Sequence, residues 1–210
     1  MFAFFVISAN AADRGRIAFV SDRSGSWQIY TMNPDGTDQL QVTDLTPTED
    51  DGWAPSISPD GNKIIFNYNG GQGPDLYVVN VDGTGLTPLT TNHRSFFGRF
   101  SPDGKKIAFT TVSKLGTAVI VEMSVGKKNE RKTLTSNLWE SVAPIYTPDG
   151  KQIVFQSQRG GFVSAVWIMP QVEIGQNSSI SSSKAPGLSN PSSPDCLAFV
   201  CERMQRPFSG

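Results

Sequence analysis

Hydrophobic and polar positions along this chain recur on a long period. A basic or polar residue, two aliphatic residues and a phenylalanine appear in that order four times, as Arg16-Ile17-Ala18-Phe19, Lys63-Ile64-Ile65-Phe66, Lys106-Ile107-Ala108-Phe109 and Gln152-Ile153-Val154-Phe155. The closing phenylalanines lie 47, 43 and 46 residues apart, a period that belongs to stacked sheets or propellers. Three copies follow the same turn, Ser58-Pro59-Asp60-Gly61, Ser101-Pro102-Asp103-Gly104 and Thr147-Pro148-Asp149-Gly150. Proline presets the first corner of such a turn, aspartate bonds the backbone ahead of it, and glycine accepts positive φ. A second turn follows the first three copies, at Asn33-Pro34-Asp35-Gly36, Asn80-Val81-Asp82-Gly83 and the weaker Ser124-Val125-Gly126. Between the two turns lie alternating segments, Gln28 to Met32 and Asp75 to Val79, which read as strands.

In order, each unit is strand, Pro-Asp-Gly turn, strand, longer loop, strand, Asp-Gly turn, strand. That order predicts a four-stranded antiparallel blade, and blades of about 40 to 50 residues arranged radially make a β-propeller. No segment carries a helical apolar stripe, so the fold class is all-β. Ile17 and Phe19 share one face of their strand and Ala18 and Val20 the other; both faces are apolar because a blade packs against a neighbour on each side. The phenylalanines are therefore read as core.

The repeat Ser-Pro-Asp-Gly-x-x-Ile-x-Phe, followed in the first copy by Ser21-Asp22-Arg23-Ser24-Gly25 and Ile29 to Asn33, resembles the TolB-type β-propeller repeat. The resemblance covers residues 16 to 170. It implies a propeller closed by six or more blades, in a family that spans periplasmic scaffold proteins and the propellers joined to prolyl-oligopeptidase-type hydrolases. The leading function it implies is non-enzymatic binding of a protein, peptide or glycan on the loop face. The alternative is the regulatory propeller portion of a prolyl-oligopeptidase-type serine peptidase whose catalytic domain lies outside this chain.

Four segments are expected. Residues 1–12 read either as a truncated signal peptide, with Ala9-Asn10-Ala11 as an Ala-x-Ala site, or as the first strand of blade one. The first reading places the protein extracytoplasmically, in the periplasm or secreted, and the second leaves the cytoplasm open. Residues 13–170 hold the blades, and the serine-rich stretch 171–192 reads as a linker. Residues 193–210 open with Ser193-Pro194-Asp195-Cys196-Leu197-Ala198-Phe199, a degenerate start of a fifth blade, with Phe199 44 residues after Phe155. Six blades of about 44 residues require about 264, so an incomplete propeller is expected, with self-association or a partner completing it.

Composition narrows the function further. Eighteen basic and 19 acidic residues leave a net charge of −1, which gives no electrostatic footprint for nucleic acid. The apolar start is too short to span a bilayer, so no transmembrane segment is expected. Cys196 and Cys201 on an extended strand point to opposite faces and are not expected to bridge. With His93 as the single histidine, and without a Gly-x-Ser-x-Gly elbow or a phosphate-cradling glycine motif, the chain is read as a non-enzyme without metal or cofactor. Gly70-Gly71-Gln72-Gly73 is read as a flexible loop.

Candidate binding residues come from aligning the blades on their turns. Asp51, Arg94 and Glu140 lie seven residues before the Ser or Thr of the turn, and Asp50, His93 and Trp139 eight before. With Trp53 they form a polar, partly aromatic set expected at the mouth of the central channel, where Trp and Arg commonly carry binding energy. Against that stands the plainer expectation of solvated loop residues, with Trp53 and Trp139 tucked between blades.

Overall fold

The computed structural model describes residues 5–6, 15–46, 53–127, 130–159, 164–171 and 183–184. They form strands without a helix, in four four-stranded sheets. Blade one holds β1 (Phe5–Val6), β2 (Ile17–Ser21), β3 (Gln28–Met32) and β4 (Leu40–Gln41). Blade two holds β5 (Trp53–Ile57), β6 (Lys63–Asn69), β7 (Pro74–Asn80) and β8 (Thr87–Pro88). Blade three holds β9 (Ser95–Phe100), β10 (Lys106–Val112), β11 (Ala118–Ser124) and β12 (Arg131–Thr133). Blade four holds β13 (Ser141–Tyr146), β14 (Gln152–Ser157), β15 (Ala165–Pro170) and β16 (Ser183–Lys184). Every sheet is an antiparallel meander in chain order. The all-β propeller reading is correct, and the described residues build four blades of an incomplete propeller.

At the start, Phe5 and Val6 lie opposite Phe19 and Ala18 on β2. Within the stretch expected to be a linker, Ser183 and Lys184 pair with Ile168 and Trp167, so two of its residues add the outer strand of blade four. The expected fifth-blade start and both cysteines lie outside the described residues.

The Pro-Asp-Gly turns close on the bonds their sequence calls for. Ser58 Oγ donates to Asp60 Oδ1 at 2.5 Å and accepts from Lys63 N at 2.9 Å, while Gly61, at φ +74°, donates its N–H to Ser58 O at 2.9 Å. The same bonds recur from Ser101 to Asp103 and Lys106, and from Thr147 to Asp149 and Gln152. Those hydroxyls first, and then the backbone N–H groups two residues ahead, hold the Asp60, Asp103 and Asp149 carboxyls below the ordinary value of 3.8. The Asp-Gly turns are built as closely alike: Asp35 Oδ1 accepts from the N–H and hydroxyl of Thr37, and Asp82 Oδ1 does so from Thr84.

The core is a series of apolar layers between blades. On β6, Ile64 and Phe66 pack back onto Ala18, Ile29 and Val42 of blade one, whereas Ile65 packs forward against Ile107 and Phe109 of blade three. On β10, Ala108 faces forward to Ile153 and Phe155 of blade four. The two-residue alternation of a strand thus places Phe66, Phe109 and Phe155 against the preceding blade. Phe66, Phe109 and Phe155 are fully buried, which is worth about 1.5–3 kcal/mol each relative to exposure. A polar tie crosses the last layer: Tyr146 of β13 donates to Glu122 Oε1 on β11 at 2.9 Å, and Lys106 Nζ lies 3.0 Å from Glu122 Oε2. Burial, and then the Glu122 charge, push the Tyr146 phenol up.

The first strands of successive blades touch one another, β1 with β5, β5 with β9 and β9 with β13. Three of them carry a bulge at one repeat position. Ala54 (φ 60°), Phe97 (φ 57°) and Ala143 (φ 53°) each lie four residues before the Ser or Thr of the turn, where pairing with the second strand shifts register. The next residues, Pro55, Gly98 and Pro144, suit a bulge, which releases the ladder position a proline cannot fill. At Gly98 a side chain would also collide, since a Cβ there would stand 2.8 Å from Ile65 Cγ2.

Candidate functional site

Antiparallel order sorts the connections into two ends. The turns after the first and third strands share one end; the loops between second and third strands and the links from blade to blade share the other. The candidate residues belong to the second, or loop, end.

Asp50 and Asp51 lie outside the described residues. Trp53 opens β5, its backbone opposite Asn67. His93 and Arg94 sit in the link from β8 to β9, and Trp139 and Glu140 in the link from β12 to β13.

His93 is held on several sides. Its Nδ1 lies 2.9 Å from Asp75 Oδ2 at the start of β7, and its backbone N–H donates to Asp75 Oδ1 at 3.1 Å. Asp75 is buried and also accepts from Thr90 Oγ1 at 2.7 Å and Asn92 N at 3.0 Å. The His93 carbonyl meets the glycine loop of blade two, where a Cβ on Gly73 would stand 2.2 Å from it. That loop, expected to be flexible, is tied down: Asn69 Oδ1 accepts from Gly71 N and Gly73 N at 3.0 and 2.8 Å. A histidine bonded through Nδ1 to a buried carboxylate is the base-and-orienter half of a hydrolytic triad. Among the described residues no hydroxyl bonds the ring; Thr90 donates to Asp75 and Ser95 to Asn92. The same residues hold no cluster of three or more His, Cys, Asp or Glu side chains suited to a metal.

Arg94 is exposed, its Nε donating to Asn92 O at 3.2 Å, while its carbonyl accepts from Val112 N at 3.0 Å. Glu140 reaches from the next link to accept from Ala118 N at 3.1 Å. Trp139, expected either at the channel mouth or between blades, is 44% exposed.

These features match known proteins. No family model matches the chain. It is 32% identical over 145 residues to the Tol-Pal system protein TolB of Francisella tularensis, covering 68% of this chain and 32% of the relative. The structure superposes on TolB from Acinetobacter baumannii with a TM-score of 0.66 at 23% identity, over 80% of this chain and 40% of that one. The repeats belong to the TolB-like β-propeller family. The chain spans about a third of the length of the curated relatives it matches. A prolyl endopeptidase structure also superposes, with a TM-score of 0.61 at 15% identity over 87% of this chain and 30% of that one, a likeness of fold.

Two features of these TolB-like blades escaped the sequence reading. A threonine staples the third strand of blades one, two and three to the link that leaves the blade: Ile29 N donates to Thr43 Oγ1, Leu76 N to Thr90 and Ile120 N to Thr135, at 2.9–3.0 Å. The signal was present as an aliphatic-Thr pair, Val42-Thr43, Leu89-Thr90 and Leu134-Thr135, 14 or 15 residues after each partner. The second is Arg99 on β9, whose Nη1 donates to Ala54 O at 3.0 Å and Gly98 O at 2.9 Å, binding two bulged strands together. Burial pulls its pKa down to about 10, which leaves it charged at neutral pH. Nothing local in the sequence marks it, because its partners are carbonyls of distant and adjacent backbone.

Proposed function

We propose that the chain is a non-enzymatic TolB-like propeller that binds a protein, peptide or glycan on its loop end. The carrying observation is the division of labour between the two ends. The turn end repeats its bonds from blade to blade, whereas the loop end, beyond the threonine staple and the stacked Arg23 and Arg159, presents side chains that differ between blades, among them the exposed Trp139, Arg94 and the His93–Asp75 pair. The relatives' name supports a protein partner, since they are Tol-Pal system proteins. With it goes an extracytoplasmic placement, periplasmic or secreted, in keeping with the scaffold members of the family.

The test is to probe the purified chain on peptide and glycan arrays and to repeat the binding with Trp139→Ala and, on the turn end, Lys151→Ala. Loss of a ligand with the first variant alone supports the reading. Hydrolysis of a peptide or glycoside, lost in His93→Ala, overturns it. Fractionation of the source cell tests the compartment, and recovery with cytoplasmic markers counts against it.

One observation favours a second reading. The likeness to a prolyl endopeptidase fits the regulatory propeller of a serine peptidase, and an adjoining coding sequence with a Gly-x-Ser-x-Gly elbow decides for it. On either reading a four-blade array leaves blade faces for a second copy or a partner to cover; sedimentation as a well-dispersed monomer counts against that part.

A further inference from the structure

Large apolar side chains are exposed at both ends of the molecule, but they are distributed differently. At the turn end they are single: Leu40 in blade one, Leu86 in blade two and Val125 in blade three. Scattered residues of that kind are ordinary surface. At the loop end three fall on neighbouring connections: Leu115, 78% exposed, in the loop from β10 to β11, and Leu138 and Trp139, 80% and 44% exposed, in the link that follows β12. The two connections are joined directly, because Glu140 accepts from Ala118 N where the Leu115 loop ends.

The presenting loop is held in shape. Ser113 N donates to Thr117 O at 2.8 Å and Gly116 N to Ser113 O at 3.1 Å, with Gly116 at φ +86°, so Leu115 rides on the tip of a closed turn. A turn already ordered loses less freedom when something binds it. The chain entering that loop, at Val112, bonds the carbonyl of Arg94. Arg94, in the link bonded to the start of this loop, and Lys114, next to Leu115 within it, are both exposed. Neither is in an ion pair among the described residues. The nearby carboxylates, Asp75 and Glu140, already accept backbone hydrogen bonds, and Asp75 is buried against His93.

From this juxtaposition we propose that Leu115, Leu138 and Trp139, together with Arg94 and Lys114, form a docking surface for an acidic peptide segment of a partner protein. Its apolar side chains cover the two leucines and the indole, and its Asp or Glu residues pair with the two cations. Trp and Arg at such a place are the residue types that dominate interface energetics, and the charges select against basic partners. The proposal rests on the loop-end reading above and adds the chemistry of the partner.

The experiment measures fluorescence anisotropy with a fluorescein-labelled peptide that holds two leucines and a tryptophan between flanking aspartates and glutamates. Two controls carry Asn and Gln, or Lys, in place of the acids. The acidic peptide is expected to bind best and the lysine peptide worst, with affinity falling as salt rises. Trp139→Ala weakens the acidic peptide about tenfold or more. The double variant Arg94→Glu, Lys114→Glu reverses the order of the peptides, and circular dichroism confirms that each variant is folded. Equal binding of the lysine peptide, indifference to both variants, or a Kd above about 1 mM for the acidic peptide overturns the inference. A glycan or a basic peptide that binds and is lost in Trp139→Ala overturns this inference alone and leaves the loop-end reading standing; if no ligand on any array responds to Trp139→Ala, both fail.

Discussion

The turn end and the loop end of these blades obey different rules. Ser58, Ser101 and Thr147 repeat one another to within 0.1 Å in their bonds to aspartate and backbone. At the loop end the threonine staple repeats in blades one to three, and Arg23 and Arg159 stack alike over Phe19 and Phe155 in blades one and four, but what surrounds the staple changes by blade. Gln28 accepts from Thr43 in blade one and Asp75 from Thr90 in blade two, whereas in blade three Val119 sits in the core and Glu140 holds the link instead. The lesson is that a repeat protein standardises the end that closes its sheets and varies the end whose loops only connect them, because any loop that returns the chain to the staple is tolerated there.

Four measurements would break or sharpen that contrast. The layer between the ends sets the scale: Phe109→Ala should cost about 3–5 kcal/mol in urea or thermal unfolding, through lost burial and the cavity left between blades two and three. A cost below about 1 kcal/mol would mean that the layer does not carry the blades. Next, Asp75→Ala should cost about 2–3 kcal/mol, since it strands a buried hydroxyl and two backbone N–H groups. His93→Ala should cost much less, because Asp75 keeps its other three donors. Near equality of the two would make the pair a single unit and blur the distinction between scaffold and display at the loop end.

Ser101→Ala, at the turn end, should cost about 1 kcal/mol, and its pH dependence sharpens the reading. The carboxyls of Asp60, Asp103 and Asp149 are depressed below 3.8 in the folded chain. Their stabilisation is therefore complete above that value and is lost as pH falls below it through the folded pKa values. Replacing all three by Asn should flatten the acid limb of a stability-versus-pH curve below pH 3.8 and leave its slope near neutrality unchanged; an unaltered acid limb would show that these turns are not its source. Smallest of all, Leu138→Ser should shift stability by no more than about 0.5 kcal/mol, because that side chain is 80% exposed. A larger loss would assign it to the scaffold.

Much of the fold was legible because its determinants are local. Pro-Asp-Gly marks a turn wherever it occurs, and the run ending in phenylalanine alternates between two apolar faces, so strand order and the four described blades followed from residues near one another. The Ala-Pro pairs at Ala54 and Ala143 were visible too, but a left-handed bulge shows only once the second strand is paired against them. The candidate residues were legible as positions and not as roles. His93 and Arg94 are adjacent and have different fates, one fixed to a carboxylate 18 residues earlier and the other left exposed.

By itself the sequence determined the class, the repeat, the turns and the residues of the core, since each depends on side-chain chemistry within a few positions. Only the tertiary structure decided which loop residues are spent on the scaffold and which remain exposed. Hydrogen bonds such as Glu140 to Ala118 and Arg99 to Ala54, spanning 22 and 45 residues, form only when blades are stacked, and no local pattern encodes the distance between two loops of different blades.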